Sequence, residues 1–259
     1  PCIAAVSEYV NQPVGTFSEA ITTRDAYFGS SAFVDLIHEL QLGITGADIS
    51  FAAPISYDAS IAAGPITNSD MFNLYKYENL LYVMELTGKE IEDYLEYAYD
   101  LWVNTMSSPD DHLLLFKDVP TVGDETRSVL KNPSYNFDSA AGIIYEVDVT
   151  KKHGSRVKIK SMANGDRFDR KKTYRVALNS YRGNGGGELL TKGAGIAHSD
   201  LPSRVVFSTD RDMRHYLSEY IKSKGTVTPR RLDQWRFVPE KYVKPASVRD
   251  YKILFGNRN

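Results

Sequence analysis

Apolar positions first recur at helical spacing over residues 26–42, where Phe33, Ile37 and Leu40 fall at i, i+4 and i+7 and Gly43 follows as a C-cap. The run Ala47-Asp-Ile-Ser-Phe-Ala-Ala-Pro54 predicts a buried strand closed by proline. A second strand is predicted over residues 77–86, around Leu80-Leu-Tyr-Val-Met84. Thr87-Gly-Lys-Glu90 then forms a capping box that opens a helix with Ile91, Tyr94, Leu95 and Ala98 on one face. Tyr145, Val147 and Val149 alternate with Glu146 and Asp148 as on a half-buried strand over residues 143–149. Further strands are predicted at residues 157–160 and 174–178. A last helix over residues 210–224 places Met213, Leu217, Tyr220 and Ile221 on one face and stops at Gly225.

Two stretches lack such order. Residues 1–25 are polar and turn-rich. Residues 104–135 hold Pro, Asp, Ser and Gly without period, and so long an excursion in a compact domain is usually functional or mobile. There is no internal repeat, and helices and strands mix without regular βαβ alternation, so the class read from the pattern is α+β.

Composition narrows the function classes. With 42% hydrophobic and 25% charged residues, disorder, collagen and coiled coil are excluded. A chain of 259 residues can bury its core without disulfide staples. Lys and Arg total 31 against 33 Asp and Glu, so no global basic field draws the chain to a nucleic acid polymer or an anionic membrane. No apolar run approaches the roughly 18 residues of a membrane span. Cys2 stands alone, which leaves no internal disulfide and no thiolate zinc cluster. The opening Pro-Cys-Ile-Ala-Ala-Val has neither initiator Met nor basic leader, and reads as part of a longer polypeptide.

Candidate chemistry concentrates in one place. Six of the 18 glycines (Gly183, Gly185, Gly186, Gly187, Gly193, Gly195) fall within thirteen residues directly after a predicted strand, with Tyr181 and Arg182 at the entrance. Glycine allows positive φ and close backbone approach to a ligand; the alternative is a mobile surface loop. The spacing fits neither the dinucleotide fingerprint nor a phosphate loop. Among 17 Tyr, Tyr77 stands out before Glu78-Asn79 at a strand start, and two rings on facing loops are a means of stacking a nucleobase. Arg182, between ring and glycines, is placed to meet a phosphate or ribose oxygen, or else forms a salt bridge at the surface. Catalytic constellations are weak. The five histidines are scattered, with His38 and His215 on predicted helices as satisfied surface or boundary residues. No nucleophile elbow is present, and Asp110-Asp111-His112 reads as a solvated acidic turn before a metal site. The pattern suits binding better than chemistry.

Six segments together carry a resemblance. Ala47 to Pro54, Gly64-Pro-Ile-Thr67, Tyr77-Glu-Asn79, Leu86-Thr-Gly-Lys-Glu90, Tyr135-Asn-Phe-Asp138 and Asn179-Ser-Tyr-Arg182 occur in the order of the C-terminal domain of the 5'-nucleotidase family. Over residues 10–240 the chain most resembles its 2',3'-cyclic-nucleotide 2'-phosphodiesterase/3'-nucleotidase branch. The resemblance implies layered mixed sheets with flanking helices, and one substrate-binding domain over residues 1–259. It implies that a nucleotide or nucleoside is held by its base between Tyr77 and Tyr181, with Asn79, Arg182, Asn184, Gly185 and Gly186 around it. It implies a secreted or periplasmic parent whose N-terminal metallophosphoesterase domain, absent here, carries two divalent metal ions and hydrolyses the ester. Glu78 stands where the family has Gly, and Gly187-Glu188 where it has Asp. Ala52-Ala-Pro-Ile-Ser-Tyr57 lacks the arginine of the 5'-nucleotidase branch, which favours the cyclic-phosphodiesterase branch. The rival readings are a non-enzymatic nucleoside- or sugar-binding module and a self-contained hydrolase.

Overall fold

The computed structural model describes residues 2–117 and 129–256. The chain begins with helix α1 (Cys2–Val10), strands β1 (Pro13–Phe17) and β2 (Ile21–Thr22), helix α2 (Ala32–Thr45) and strand β3 (Ile49–Ala52). Strands β4 (Ser60–Ile61) and β5 (Gly64–Thr67) lead into α3 (Asn68–Leu74), and the long β6 (Leu80–Thr87) passes directly into α4 (Gly88–Trp102). Then come β7 (Ser139–Ala141), β8 (Ile143–Asp148), β9 (Val157–Met162), β10 (Thr173–Asn179) and the single turn α5 (Ser180–Gly183). The chain continues through α6 (Leu201–Arg204), β11 (Val205–Asp212), α7 (Met213–Lys224), β12 (Thr226–Val227), β13 (Trp235–Val238) and α8 (Glu240–Phe255). The class is α+β.

A mixed five-stranded sheet, ordered β11-β6-β10-β3-β7, organises the rest, with smaller sheets β12-β1-β5, β13-β8-β9 and β2-β4 around it. β10 runs antiparallel to β6 (Asn179 opposite Leu81) and parallel to β3 (Val176 opposite Ile49). β7 pairs antiparallel with β3, Ser139 opposite Ala52. Two buried apolar clusters flank this sheet. One gathers around α4 and the β8 sheet, the other around α2 and α7.

The capping box of α4 forms as its sequence predicts. The Thr87 hydroxyl accepts from Glu90 N–H, and the Glu90 carboxylate accepts from Thr87 N–H and grips Arg204 through both oxygens at 2.8 Å. Burial disfavours the Glu90 charge, but these donors outweigh it and hold its pKa below the usual value. The buried face of α4 is the predicted one, Ile91, Tyr94, Leu95 and Ala98, extended by Tyr99 and Trp102.

Several expectations are corrected. Helix α2 runs past Gly43 and is capped by Gly46, whose left-handed φ of 61° lets its N–H bond the Leu42 carbonyl. Residues 1–25 are not mere turns but hold α1, β1 and β2. The helix over residues 213–224 is not the last, because α8 follows with Pro245 inside it, a residue that reads in sequence as a breaker. His38 is no boundary residue. It is fully buried between the Ser50 and Ser139 hydroxyls, at 2.9 and 3.1 Å, and burial lowers its pKa to about 3. Within the aperiodic stretch, residues 118–128 lie outside the described residues. The described flanks are tied down by bridges Val103–Leu114 and Phe116–Leu130. Among the described residues no helix is long and apolar enough to cross a membrane.

Candidate functional site

Antiparallel pairing of β6 and β10 sets the beginning of one strand beside the end of the other. Tyr77 and Asn79 immediately precede β6, and Tyr181 and Arg182 immediately follow β10. Residues about a hundred positions apart therefore meet at one end of the sheet. The Ser180 hydroxyl fixes the junction by accepting from Leu80 N–H at 3.0 Å. β3 ends at the same edge, bringing Ala53 and Ile55, and the segment leading into β7 brings Tyr135.

These side chains enclose a cleft of about 260 Å³, lined by Ala53, Ile55, Tyr77, Asn79, Tyr135, Asn179, Tyr181 and Arg182. It lies just below the roughly 300–1,000 Å³ range of ligand sites, a size for one flat ring system. Three tyrosines stand open around it, with relative exposures of 39% for Tyr77, 39% for Tyr135 and 47% for Tyr181. Tyr135 and Tyr181 meet nearly at right angles, ring centroids 6.5 Å apart at 81°. Asn79 is almost buried, its amide nitrogen 3.5 Å from the Tyr75 hydroxyl and its backbone carbonyl accepting from Met213 N–H. Burial raises the Tyr75 pKa to about 12. Asn179 caps α5, accepting from Arg182 N–H at 2.8 Å.

Arg182 is placed differently from a ligand-reading arginine. It is 2% exposed, and all five of its N–H donors are taken inside the protein. Nε and Nη2 form a bidentate pair with Asp138 at 3.1 and 2.8 Å. Nη1 reaches the Asn136 side-chain oxygen and the Gly186 carbonyl, and Nη2 also reaches the Tyr135 carbonyl at 2.7 Å. Tyr94 donates its hydroxyl to the same Asp138 carboxylate. Burial opposes the guanidinium charge, but Asp138 outweighs it and the pKa moves up. With no donor left over, the side chain holds the wall instead of reaching for a phosphate or ribose oxygen. The structural salt bridge weighed for it is present, but in the interior.

The glycine segment is a folded support. A Cβ on Gly186 would stand 2.5–2.6 Å from three ring carbons of Tyr181, so only glycine lets that ring lie against the backbone. Gly185 and Gly187 take φ of 99° and 72°. Asn184 caps the end of α5 through backbone bonds and is exposed. Of the sequence-derived candidates, Tyr77, Asn79, Tyr181 and Arg182 come together at the cleft, whereas Asn184, Gly185 and Gly186 do not line it. Glu188 turns away to Lys192 at 2.8 Å. Tyr135 and Asn179 line the cleft and belong to segments quoted for the resemblance, but position in a motif carries no sign of which ring turns outward.

Elsewhere, Asp111 accepts from Ser107 and Ser108 in a local turn, and His112 pairs with buried Asp250 at 2.6 Å. Among the described residues no three His, Cys, Asp or Glu side chains converge as a metal site requires. The two-metal centre implied by the resemblance has no ligand set there, and no hydrolytic step is assigned to these residues.

A mixed-sheet α+β domain with an aromatic cleft at one sheet end is the class that fold and site define. The model of the 5'-nucleotidase C-terminal domain matches residues 13–192, and the chain belongs to that family. It is 24% identical over 279 residues to the 2',3'-cyclic-nucleotide 2'-phosphodiesterase/3'-nucleotidase of Haemophilus influenzae, covering 92% of this chain and 39% of that protein. It is 26% identical over 262 residues to the trifunctional nucleotide phosphoesterase of Bacillus subtilis, covering 90% of this chain and 17% of that protein. The chain thus spans two fifths or less of these relatives. Among solved structures it matches the 5'-nucleotidase precursor of Thermus thermophilus with a TM-score of 0.68 at 22% identity, over 92% of this chain and 41% of that one. It matches a sulfate thiohydrolase of the same organism with a TM-score of 0.61 at 19% identity, over 93% and 38%. One fold thus serves differently named hydrolases, and these likenesses speak for the fold alone.

Proposed function

We propose that this chain is the substrate-binding domain of a secreted or periplasmic nucleotide phosphoesterase of the 2',3'-cyclic-nucleotide 2'-phosphodiesterase/3'-nucleotidase type. In this reading a nucleobase lies between Tyr77 and Tyr181, and the domain orients the nucleotide. Hydrolysis belongs to an N-terminal metallophosphoesterase domain of the same polypeptide, which carries two divalent metal ions. The single observation that supports it most is that two half-open tyrosine rings from distant parts of the chain line one cleft of base-like size. Stacking uses the π face of any base, so ring and not hydroxyl carries the affinity.

Titration of the chain with adenosine tests the reading. Replacing either ring, Tyr77→Ala or Tyr181→Ala, is expected to weaken binding about 5- to 150-fold, the equivalent of about 1–3 kcal/mol for one stacked base. Absence of adenosine binding by the unaltered chain, or indifference to both substitutions, would overturn it. In the same preparation a 2',3'-cyclic nucleotide is expected to show no turnover, with or without added divalent metal. Turnover abolished by chelation would move the chemistry into this chain.

A further inference from the structure

We infer that Tyr135 is a third ligand-contacting residue of the cleft, a side wall that makes it sensitive to which base it holds. This rests on the base-stacking reading above and deepens it. The first support is the way the residue is held. Ser134, Phe137 and Asp138 turn inward and are buried, and Phe137 stacks on Trp102 with centroids 5.3 Å apart at 4°. The Tyr135 carbonyl is fixed by Arg182 Nη2, and Asn136 by Arg182 Nη1. On this anchored turn Phe137 is buried, whereas the Tyr135 ring stays open and lines the cleft. With Tyr77 and Tyr181 it forms a cluster of open rings around one cleft, and a contiguous exposed patch of this kind marks a ligand-binding groove.

The second support is orientation. Tyr135 stands at 81° to Tyr181. A base lying flat on Tyr181 is therefore perpendicular to Tyr135, and the two meet edge to face, the arrangement that ring quadrupoles favour. Stacking on Tyr181 is indifferent to base identity because every base has a π face. An edge-to-face contact is not, because it depends on which hydrogens, carbonyls or amino groups lie along the meeting edge. Tyr77 and Tyr181 thus supply general affinity, and Tyr135 supplies discrimination.

The test is the dissociation constant of the chain for adenosine and for uridine, measured for the unaltered protein, Tyr135→Ala and Tyr135→Phe. Tyr135→Ala is expected to weaken adenosine binding about 2- to 12-fold, as for loss of one aromatic pair contact, and to change the adenosine-to-uridine ratio at least about 2-fold. Tyr135→Phe keeps the ring and is expected to match the unaltered chain. The ring is half-open, so the melting temperature is expected to stay in place in both variants. Unchanged affinities in Tyr135→Ala overturn the role of Tyr135 while leaving the stacking slot intact. Equal weakening for both nucleosides overturns its part in discrimination. Failure of the unaltered chain to bind either nucleoside overturns the slot and this inference with it.

Discussion

Two aromatic assemblies in this molecule use the same residue types for opposite ends. In the interior, Trp102 stacks on Tyr99 and Phe137 and meets Trp235 and Phe237 edge to face, all of them buried. At the sheet edge, Tyr77, Tyr135 and Tyr181 stand open around a cleft. The boundary between the assemblies runs through one short segment, where Phe137 faces the core and Tyr135, two residues earlier, faces outward. What separates them is the footing beneath each ring. Interior rings rest on other rings. Tyr181 rests on a bare glycine backbone, and Tyr135 on a turn fastened by an arginine. Interior rings should therefore govern stability, and the open rings binding.

The largest effects should come from the interior and its junction with the cleft. Trp102→Ala removes the centre of the stack and is expected to cost about 3–5 kcal/mol in urea unfolding. Arg182→Ala strands the buried Asp138 carboxylate and is expected to cost a similar ~3–5 kcal/mol. If Arg182→Ala unfolds like the unaltered chain, the guanidinium is not the structural bolt described here. Acid should act next, through a buried histidine. The pKa of His38 is about 3 in the fold against an ordinary 6.5, so the unfolded chain takes up the proton first. The associated stability is fully present above pH 6.5 and is lost as the pH falls toward 3. Between pH 7 and pH 5 the loss is about 2 kcal/mol, and His38→Gln should flatten that slope.

Effects on the open rings should be smaller and should appear in binding. Gly186→Ala thrusts a methyl group against Tyr181 and is expected to weaken adenosine binding by about 1 kcal/mol, with little change in melting temperature. An unaltered affinity would mean that the ring has room to shift. Smallest of all, Tyr181→Phe should leave binding within about 0.5 kcal/mol of the original, since the π face is preserved. A larger loss would assign the hydroxyl a hydrogen bond to the ligand.

The same contrast explains what could be read without coordinates. The α4 helix was legible to the residue at its start, because a capping box is local chemistry between positions 87 and 90. The strand around Tyr145 was legible because its alternation is a period-2 signal. Helix α8 was not, since Pro245 argues against a helix locally and only packing of Val243, Ala246 and Tyr251 overrides it. The closing glycine of α2 was misplaced because Gly43 and Gly46 look alike until a left-handed φ distinguishes them. Of the candidate site, Tyr77 and Tyr181 were picked out by their settings and by the resemblance. The use of Arg182 was not legible, because which donors remain free depends on Asn136, Asp138 and the Gly186 carbonyl converging from elsewhere in the fold. Tyr135 and Phe137 are two aromatics in one motif, and nothing in their order says which turns outward.

The five bonds at Arg182 also bear on timing. They join the turn carrying Tyr135, the loop beneath Tyr181 and, through Asp138 and Tyr94, helix α4. Those two walls cannot fluctuate separately without breaking a buried ion pair, so they move as one body with the interior. The entropy of ordering the backbone beneath these rings is met when the chain folds, not when a ligand arrives. Amide hydrogens of residues 135–138 and 182–186 should then exchange together, on the slow timescale of the core, and a ligand reaching this cleft finds these two walls already standing.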